Sequence, residues 1–581
     1  MNVIWRVSAY LFRYRVLFVL TLVLAVGMTL LAIAVPRVIQ WIFNDMIAAG
    51  DYRDLWLGVA LMVALYAGRE LCNCFRIRIN NTVEQKVLLD LRGDLHDKLL
   101  HLPVGFYDRR KSGEIASRVI EDVQAVERAL LDGTEQGLTA VLMIVGIITM
   151  LFMMEPMLAW LVIAPMPVLL VLGWLHARAT RRYWKTVREA AGELNSLLVE
   201  DIQGNRLIHS FALKDRERRR FREQAERLRD RTLKAMFRWS LHSPASNFIS
   251  SLGTVAVVGM GGYLMISADH FKLGDVVAFF FYAAMLYEPI GRINNLNHML
   301  AAAAASGRRV FEILDHPLDV QSPPDPKPFP SDPLLEARFE NISFAYPDRD
   351  EVIEELDLTL PAGRMTALVG HTGAGKSTIA NLLLRYYDVT QGAVRINGID
   401  VREMDLTDLR RQIGYVAQDP FLFDGTVEEN LRLARPDASL DEIEGALRGA
   451  CAWEFVAQLP GGIAASIGEK GIRLSMGEKQ RLTIARVLLK NPRMVILDEA
   501  TASVDTATER GIQEALDNLM RDRTLLVIAH RLSTVRKADQ IVVLDHGRIV
   551  ERGDHTQLCE SGGPYAALWR YQHDFIPERV N

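Results

Sequence analysis

Six long apolar runs constrain this chain more than any other feature of its sequence. A helix that crosses a lipid bilayer needs about 20 mostly apolar residues. Runs of this kind occupy Val16–Pro36, Leu55–Phe75, Gln136–Met154, Pro156–Ala177, Ala245–Ala268 and Val276–Gly291. One such run would also suit a buried core helix, but six of them predict a helical transmembrane domain.

The segment before the first run has apolar residues at helical spacing, whereas Arg6 and Arg13 fall elsewhere. This pattern predicts an amphipathic helix along the membrane surface. The first run is longer than the apolar part of a signal peptide, so we interpret it as an anchor.

Lysine and arginine are distributed unevenly between the runs. They crowd residues 76–135 and 178–244, whereas the links at 155 and 269–275 carry only Lys272. Cytoplasmic segments carry the excess of positive charge. We therefore expect the two crowded segments, and both chain termini, to be cytoplasmic.

Each crowded segment is helical in pattern and would form a hairpin reaching roughly 45 Å from the membrane at 1.5 Å per residue. The hairpins have breaks at residues 106–114 and 201–210, where each would turn. Charged hairpins are often solvated spacers, but these two point at the soluble part of the chain. We expect them to contact it.

The net charge of −4 gives no indication of a nucleic-acid partner. The four cysteines have no metal-binding spacing, so we expect free thiols at Cys72, Cys74, Cys451 and Cys559. A proline-rich stretch at 315–333 predicts an extended linker. The expected domains are therefore a transmembrane domain at 1–314 and a soluble α/β domain at 334–581.

A phosphate-binding loop follows a β-rich apolar run at 365–370 and precedes a helix-like segment. The strand–GxxxxGK[ST]–helix order is that of a P-loop, in which backbone N–H groups surround the phosphates of a nucleotide. Lys376 would reach the β- and γ-phosphates, and Ser377 would ligate Mg²⁺. The predicted nucleotide-binding residues are Gly370, His371, Thr372, Gly373, Ala374, Gly375, Lys376, Ser377 and Thr378.

A second apolar run ends in Asp498 and Glu499. Asp498 would hold Mg²⁺, and Glu499 would polarise the attacking water as a general base; the alternative is that both acids cap the next helix. His530 ends another predicted strand, facing the γ-phosphate. Gln418 is a weaker candidate for catalysis and for the metal, and Tyr346 would either stack on adenine or belong to the core.

In type and order these motifs resemble the ATP-binding cassette (ABC) family, whose pattern also includes the ASVD turn ending at Asp505. The whole chain resembles a half-size ABC exporter of the type IV class, which includes lipid A flippases and many bacterial multidrug exporters. The resemblance implies a six-helix α-helical transmembrane domain followed by an α/β P-loop ATP-binding cassette. It also implies ATP hydrolysis coupled to transport, with ATP and Mg²⁺ as cofactors.

In this family a Leu-Ser-Gly-Gly-Gln signature covers the nucleotide held by the opposite cassette. Here the signature is LSMGE, which retains Ser475 and Gly477 but has Met476 and Glu478 at two positions. The resemblance thus implies two copies arranged head to tail. Because Glu499 is present, we favour a homodimer over a heterodimer.

The resemblance further implies alternating access, driven by ATP binding and hydrolysis. The two hairpin turns resemble the family's coupling helices. The loop before the signature resembles a loop that contacts those hairpins, although it would also suit a plain turn. The predicted coupling residues are Tyr107, Arg109, Gly113, Gly204, His209 and Glu469.

Three charged residues fall within the apolar runs, Arg69, Glu70 and Glu288, and Arg292 directly follows the sixth run, four residues after Glu288. Arg69 and Glu288 would sit roughly 18–21 Å below the outer surface, in the inner-leaflet half. Charges at this depth face a cavity or one another. They predict either a portal for an amphipathic molecule with a charged head or a structural ion-pair cluster, and the sequence does not decide between the two.

The function predicted from all of these features is ATP-driven export of lipid or hydrophobic small molecules. A homodimer in the bacterial inner membrane, surrounded by lipids and with no nucleic-acid partner, would carry it out. The alternatives are peptide export, one half of a heterodimeric exporter, or a nucleotide-gated channel. An ABC-type ATPase acting on DNA or ribosomes is disfavoured by the six apolar runs.

Overall fold

The fold is described from a computed structural model. The structure describes residues 3–47, 52–267, 271–347, 349–498, 506–529 and 532–573. The chain divides into two compact units, one comprising Met1–Leu100 with Lys111–His316 and the other comprising His101–Arg110 with Pro317–Asn581.

The first unit is helical. Its helices are α1 (Val3–Arg13), α2 (Arg15–Trp41), α3 (Tyr52–His101, whose last residue belongs to the second unit), α5 (Ser112–Ser117), α6 (Val123–Met154), α7 (Pro156–Ile163), α8 (Pro165–Gln203), α9 (Asn205–Ser210), α10 (Lys214–Ser267), α11 (Leu273–Leu286) and α12 (Glu288–Leu314); α4 (Val104–Asp108) lies in the second unit. Single π-helical turns extend α2 and precede α6.

Six helical segments of the described residues are long and apolar enough to cross a membrane. They are Arg15–Ile47, Arg53–His101, Ser112–Met154, Pro156–Gln203, Lys214–Ser267 and Leu273–Ile293. Each contains one of the six predicted apolar runs, apart from a terminal residue of the fifth run that lies outside the described residues. The prediction of a six-helix transmembrane domain is confirmed.

The sixth run contains a break within its helical span. It is interrupted at Tyr287, between α11 and α12. Pro289 lies in the first turn of α12, and proline removes a helical N–H donor and crowds the preceding turn. The Tyr287 hydroxyl donates a 2.7 Å hydrogen bond to the Val162 carbonyl, which fixes the tyrosine at this break.

The predicted N-terminal amphipathic helix is present as α1. Val7 and Leu11 are buried on its apolar face. Tyr10 packs against the same cluster and its hydroxyl donates a 2.7 Å hydrogen bond to Asp94 in α3, while Arg6 pairs with Asp315 just after α12. Helix α1 is therefore attached to two other helices of its unit.

The second unit is an α/β domain. Its strands are β1 (Ala337–Ala345), β2 (Glu351–Leu360), β3 (Met365–Val369), β4 (Gln391–Ile396), β5 (Ile399–Asp400), β6 (Ile413–Val416), β7 (Met494–Asp498), β8 (Thr524–Ile528), β9 (Gln540–Asp545) and β10 (Arg548–Gly553). Its further helices are α13 (Lys376–Leu383), α14 (Leu406–Gln412), α15 (Val427–Arg432), α16 (Leu440–Gly449), α17 (Trp453–Gln458), α18 (Met476–Lys490), α19 (Thr506–Leu519), α20 (Leu532–Val535), α21 (His555–Glu560) and α22 (Pro564–His573).

The described strands form two sheets, with the orders β2-β1-β4-β5 and β10-β9-β3-β8-β7-β6. In the second sheet β9, β3, β8, β7 and β6 are parallel, and β10 pairs antiparallel with β9. Strands β3, β7 and β8 are buried along their whole length. Parallel strands covered on both faces are continuously apolar in sequence, which is why these strands were recognisable as uninterrupted runs.

The proline-rich segment contains no helix, as its prolines predict. It is nevertheless attached to the cassette from residue 317 onward. The Lys327 N–H donates a 2.8 Å hydrogen bond to the Glu403 carbonyl, and the Arg493 guanidinium donates one of 2.7 Å to the Pro330 carbonyl. These bonds hold the segment along the surface of the second unit.

Candidate nucleotide site

Four parallel strands end level with one another at one edge of the second sheet. Leu368 of β3 pairs with Ile528 of β8, Ile528 pairs with Asp498 of β7, and Leu497 of β7 pairs with Val416 of β6. The carboxyl ends of parallel strands are where α/β folds place their ligand-binding segments. The P-loop, Asp498 and the Gln418 segment therefore meet at a single edge.

Glycines shape the P-loop that follows β3. A Cβ atom at Gly370 would lie 2.2 Å from the Leu544 carbonyl oxygen, so no side chain fits there. Gly373 and Gly375 have φ angles of +87° and +99°, a backbone conformation that glycine adopts without strain. Gly375 is the N-cap of α13. The loop thus passes directly into a helix N-terminus, where phosphate groups bind favourably.

Lys376 is buried inside the curve of this loop. Its ammonium group donates hydrogen bonds of 2.8 and 2.9 Å to the carbonyls of Gly370 and His371. Burial lowers the pKa of Lys376, and the negative charge of Asp498 opposes that shift. An anionic phosphate at this position would likewise favour the charged lysine.

The residues predicted to hold Mg²⁺ offer oxygen ligands of the kind that Mg²⁺ prefers. Ser377 lies exposed in the first turn of α13, and Asp498 ends β7 as a buried carboxylate. Burial, together with the nearby Asp498 carboxylate, raises the pKa of Tyr415 to about 12. Gln418 lies exposed two residues beyond β6. The donor set fits a hard divalent cation.

Tyr346 follows β1 and is partly buried. Its ring packs edge-on against Phe344 and Tyr387, at centroid distances of 4.9 and 5.1 Å. Its hydroxyl lies 3.2 Å from the hydroxyl of Thr378 in α13. These contacts connect Tyr346 to the helix of the P-loop, and its stacking on adenine stays a prediction.

Three predicted residues, Glu499, Asp505 and His530, lie outside the described residues. Glu499 directly follows the described end of β7. His530 lies two residues beyond β8 in the sequence. Their roles stay predictions.

The signature forms the start of α18. Ser475 is its N-cap, and Gly477 is buried in the first turn. The Ser475 N–H and hydroxyl both donate to one oxygen of Glu478, at 2.7 and 2.8 Å, and the Glu478 N–H donates in return to the Ser475 hydroxyl. This is a capping box. The Ser-x-x-Glu spacing indicates one, and the sequence analysis did not use that signal.

The predicted coupling residues lie at helix ends and turns. Tyr107 lies in α4 and Arg109 caps it, within the segment that belongs to the second unit. Gly113 lies in α5. Gly204 is the N-cap of α9, and His209 lies within that helix. Glu469 begins a short 3₁₀ turn before the signature.

The segment containing α4 is held against the cassette by Tyr387, which the sequence analysis missed. The Tyr387 hydroxyl donates a 2.6 Å hydrogen bond to the Asp108 carboxylate. A Cβ at Gly105 would lie 2.7 Å from the Tyr387 ring, so the glycine permits this close approach. No local pattern marks a contact between residues 279 positions apart.

The charged residues of the predicted portal form pairs within their own helices. The Arg292 guanidinium lies 2.7 Å from the Glu288 carboxylate, one turn away in α12, as the spacing predicted. Arg69 lies 3.4 Å from its neighbour Glu70 in α3. All four side chains retain substantial exposure. The portal stays a prediction.

Comparison with known families agrees with this architecture. Residues 18–290 match the ABC transporter transmembrane region, and residues 353–502 match the ABC transporter family. This chain belongs to the ABC transporter family. As an ABC transporter with one transmembrane region and one cassette, it is an ATPase coupled to transmembrane transport and an integral membrane protein.

Three known proteins illustrate the similarity. The fatty acid ABC transporter ATP-binding/permease protein of Mycobacterium bovis is 37% identical, over 90% of this chain and 82% of its own length. The ATP-dependent lipid A-core flippase of Syntrophus aciditrophicus is 36% identical, over 90% of this chain and 87% of its own. A solved bacterial Atm1-family ABC exporter with ATP bound superposes with a TM-score of 0.80, at 27% identity, covering 99% of this chain and 100% of that one.

Proposed function

We propose that this ABC transporter exports lipid or hydrophobic and amphipathic small molecules, taking them from the cytoplasmic side or the inner leaflet and releasing them outward. The similarity to proteins named as a fatty acid transporter and a lipid A-core flippase supports this substrate class. Its place is the bacterial inner membrane, with both termini in the cytoplasm. The excess of lysine and arginine in residues 76–135 and 178–244 supports that orientation.

The working unit is a homodimer with two shared ATP sites. The observation that carries this proposal is the exposed N-terminus of α18, where Ser475 lies at the surface. A hydroxyl and backbone N–H groups at a helix start are suited to bind phosphate. Each chain has one P-loop and one signature, so two chains arranged head to tail complete two sites.

The proposed chemistry divides between binding and activation. Lys376 and the P-loop backbone bind the phosphates, and Ser377, Asp498 and Gln418 are the residues that would hold Mg²⁺. Held by these residues, the ion would supply positive charge that offsets the negative charge developing on the phosphate oxygens. Glu499 orients and deprotonates the attacking water, and His530 contacts the γ-phosphate. Closure of two cassettes around ATP, and their separation after hydrolysis, drives alternating access.

Mixing two inactive variants tests the shared site. Chains with Lys376→Ala and chains with Ser475→Ala are co-purified as a tagged mixed dimer, and ATP hydrolysis is measured in nanodiscs. A mixed dimer contains one site with Lys376 of one chain and Ser475 of the other, so it should regain activity that neither parent has. Failure to regain activity, in a dimer verified by its mass, would contradict shared sites.

Transport is tested in inside-out proteoliposomes. ATP-dependent movement of a fluorescent fatty acid or phospholipid across the bilayer should occur with the native chain and stop with Glu499→Gln, which removes the proposed general base and leaves the P-loop unchanged. Movement of a labelled peptide instead would favour peptide export. ATP-dependent ion conductance without lipid movement would favour a channel.

A further inference from the structure

Two histidines and an aspartate meet beside the P-loop. His371 is the second residue of that loop, Asp545 ends β9, and His546 begins the turn between β9 and β10. One ligand atom from each residue lies within 4.8 Å of the other two. All three side chains are exposed, and they come from segments 174 positions apart in the chain.

The His371 ring has the orientation of a metal-binding histidine. Its Nδ1 lies 2.8 Å from the Thr372 carbonyl oxygen, a contact in which the ring nitrogen donates. Its Nε2 lies 2.8 Å from an Asp545 carboxylate oxygen, the distance of a hydrogen bond. Histidines that bind metals are held in this way by a carbonyl on the second nitrogen. A cation that replaces this hydrogen-bond contact would be ligated by both Nε2 and the carboxylate.

The turn that carries His546 is fixed by packing. His546 and Gly547 both have left-handed φ angles, +45° and +78°, as in a tight hairpin turn. A Cβ at Gly547 would lie 2.3 Å from the Val352 carbonyl oxygen, so the turn lies directly on β2. His546 Nε2 lies 3.9 Å from the Asp545 oxygen, and its ring centre lies 5.0 Å from that of His371.

A polar cavity of about 780 Å³ opens beside His546 and Gly373. Asp350, Glu351 and Glu354 contribute carboxylates to its lining. Arg349 also lines the cavity, which reaches the cluster at His546 and leaves room there for water to complete the coordination. An entry path and an oriented set of ligands are the features expected of a metal site.

We propose that His371, Asp545 and His546 bind Zn²⁺ and that the bound ion inhibits ATP binding. Two imidazole nitrogens and one carboxylate are a ligand set that suits Zn²⁺, whereas Mg²⁺ prefers oxygen ligands alone. The site is distinct from the proposed Mg²⁺ ligands Ser377 and Asp498.

The inhibition follows from the position of His371. Its carbonyl accepts a 2.9 Å hydrogen bond from Lys376, the residue proposed to bind the β- and γ-phosphates. An ion that joins the His371 ring to the β9–β10 turn restrains the loop that must surround those phosphates. Zn²⁺ binding therefore weakens ATP binding. By linkage, ATP weakens Zn²⁺ binding by the same factor.

The binding test uses the full-length protein in detergent without nucleotide. Zn²⁺ affinity is measured by competition with a chromophoric chelator, and Co²⁺ is added separately to record the visible spectrum of a site with nitrogen ligands. We expect one Zn²⁺ per chain. His546→Asn and Asp545→Asn should each weaken its binding at least about tenfold. Asparagine suits the left-handed conformation at 546, so the turn is retained.

The inhibition test measures ATP hydrolysis with Mg²⁺ in excess, with and without Zn²⁺, and the effect of a zinc-selective chelator added afterwards. Without Zn²⁺, His546→Asn should hydrolyse ATP as fast as the native chain. Added Zn²⁺ should raise the KM for ATP of the native chain and leave the KM of His546→Asn unchanged. Equal inhibition of both proteins would overturn the regulatory role.

Cys559→Ser is the matched control, because Cys559 Sγ lies 3.7 Å from His555 and offers Zn²⁺ a different pair of ligands. Zn²⁺ binding that is lost in Cys559→Ser and retained in His546→Asn would overturn the proposed site. Absence of stoichiometric Zn²⁺ binding to the native chain would also overturn it. Neither result depends on whether the two chains share their ATP sites, so failure here is separate from failure of the proposed function.

Discussion

The Ser475 hydroxyl donates a 2.8 Å hydrogen bond to the Glu478 carboxylate in the first turn of α18. A hydroxyl has one proton to donate. In the proposed closed dimer that proton is required by the γ-phosphate held by the other chain. Glu478 therefore competes with the nucleotide for Ser475 and places a negative charge near the phosphate.

Replacing Glu478 with glutamine should strengthen ATP binding between the cassettes. The amide oxygen still accepts from the Ser475 N–H, since glutamine also serves in a capping box, while the repelling charge is removed. Repulsion of about 1 kcal/mol corresponds to roughly a fivefold lower KM for ATP. The ATP dependence of hydrolysis in nanodiscs measures this change.

Glu442→Gln is the control for that substitution, because Ser439 and Glu442 form an equivalent capping box at the start of α16. This helix contains no predicted nucleotide residue, so the KM should stay unchanged. If Glu478→Gln raises the KM or leaves it unaltered, Glu478 does not compete with the phosphate.

Nucleotide affinity should depend on pH through Lys376. Burial lowers the pKa of this lysine from its ordinary value of 10.5, and bound phosphate favours the charged form. Affinity for ADP should therefore be constant at neutral pH. It should weaken, by up to about tenfold per pH unit, as the pH rises through the lowered pKa. Calorimetric titration over a range of alkaline pH measures this dependence.

The same titration in two buffers of different ionisation heat should reveal proton uptake on ADP binding. Tyr415, with its pKa raised to about 12, stays protonated over this range. The effect of pH on folding stability has the opposite sign. At neutral pH the buried, charged lysine lowers the free energy of unfolding, and this cost is lost as the pH rises through the lowered pKa of the native state. Binding without proton uptake would contradict the role of Lys376.

The hydrogen bond between Tyr387 and Asp108 should contribute to coupling. Burial and this hydrogen bond raise the pKa of Tyr387, so its hydroxyl remains a donor at neutral pH. Tyr387→Phe retains the ring beside Gly105 but removes the bond, which is worth about 0.5–1.5 kcal/mol. We expect substrate-stimulated ATP hydrolysis to fall while basal hydrolysis is retained.

A double-mutant cycle with Asp108→Asn separates this contact from general damage, because coupling energy between the two positions reports their direct interaction. Tyr386→Phe is the matched control, since Tyr386 is the neighbouring tyrosine and its ring contacts Arg410 instead. Equal loss of stimulation in Tyr386→Phe would show that the Asp108 contact has no special role.

Arg69 and Glu70 distinguish the two interpretations of the charged membrane residues. If Arg69 recognises an anionic lipid head, Arg69→Ala should abolish stimulation of ATP hydrolysis by anionic lipid, and Glu70→Gln should retain it. If the two residues form only a structural pair, stimulation should be unchanged in Arg69→Ala with the fold intact. Hydrolysis in nanodiscs of defined lipid composition decides between these outcomes, with cationic drugs as the comparison.

Local patterns predicted much of the fold. Each apolar run specifies its own helix, because length and hydrophobicity suffice for a membrane span. The sixth run is visibly interrupted by Glu288, but the exact break at Tyr287 does not follow from Pro289 alone, because proline is tolerated within some membrane helices. The Glu478 capping box was also present in the local spacing, but Glu478 was considered only as a departure from the family signature.

The sequence by itself determined the six apolar helices, the P-loop and the buried strand that ends in Asp498. These features depend on residues close together in the chain, whose spacing fixes backbone conformation and burial. Only the tertiary structure decided that four strand ends lie level, that Tyr387 binds Asp108 and that His371 meets Asp545. Such contacts join residues far apart in the chain, and their distances follow from how sheets and loops pack rather than from any local pattern.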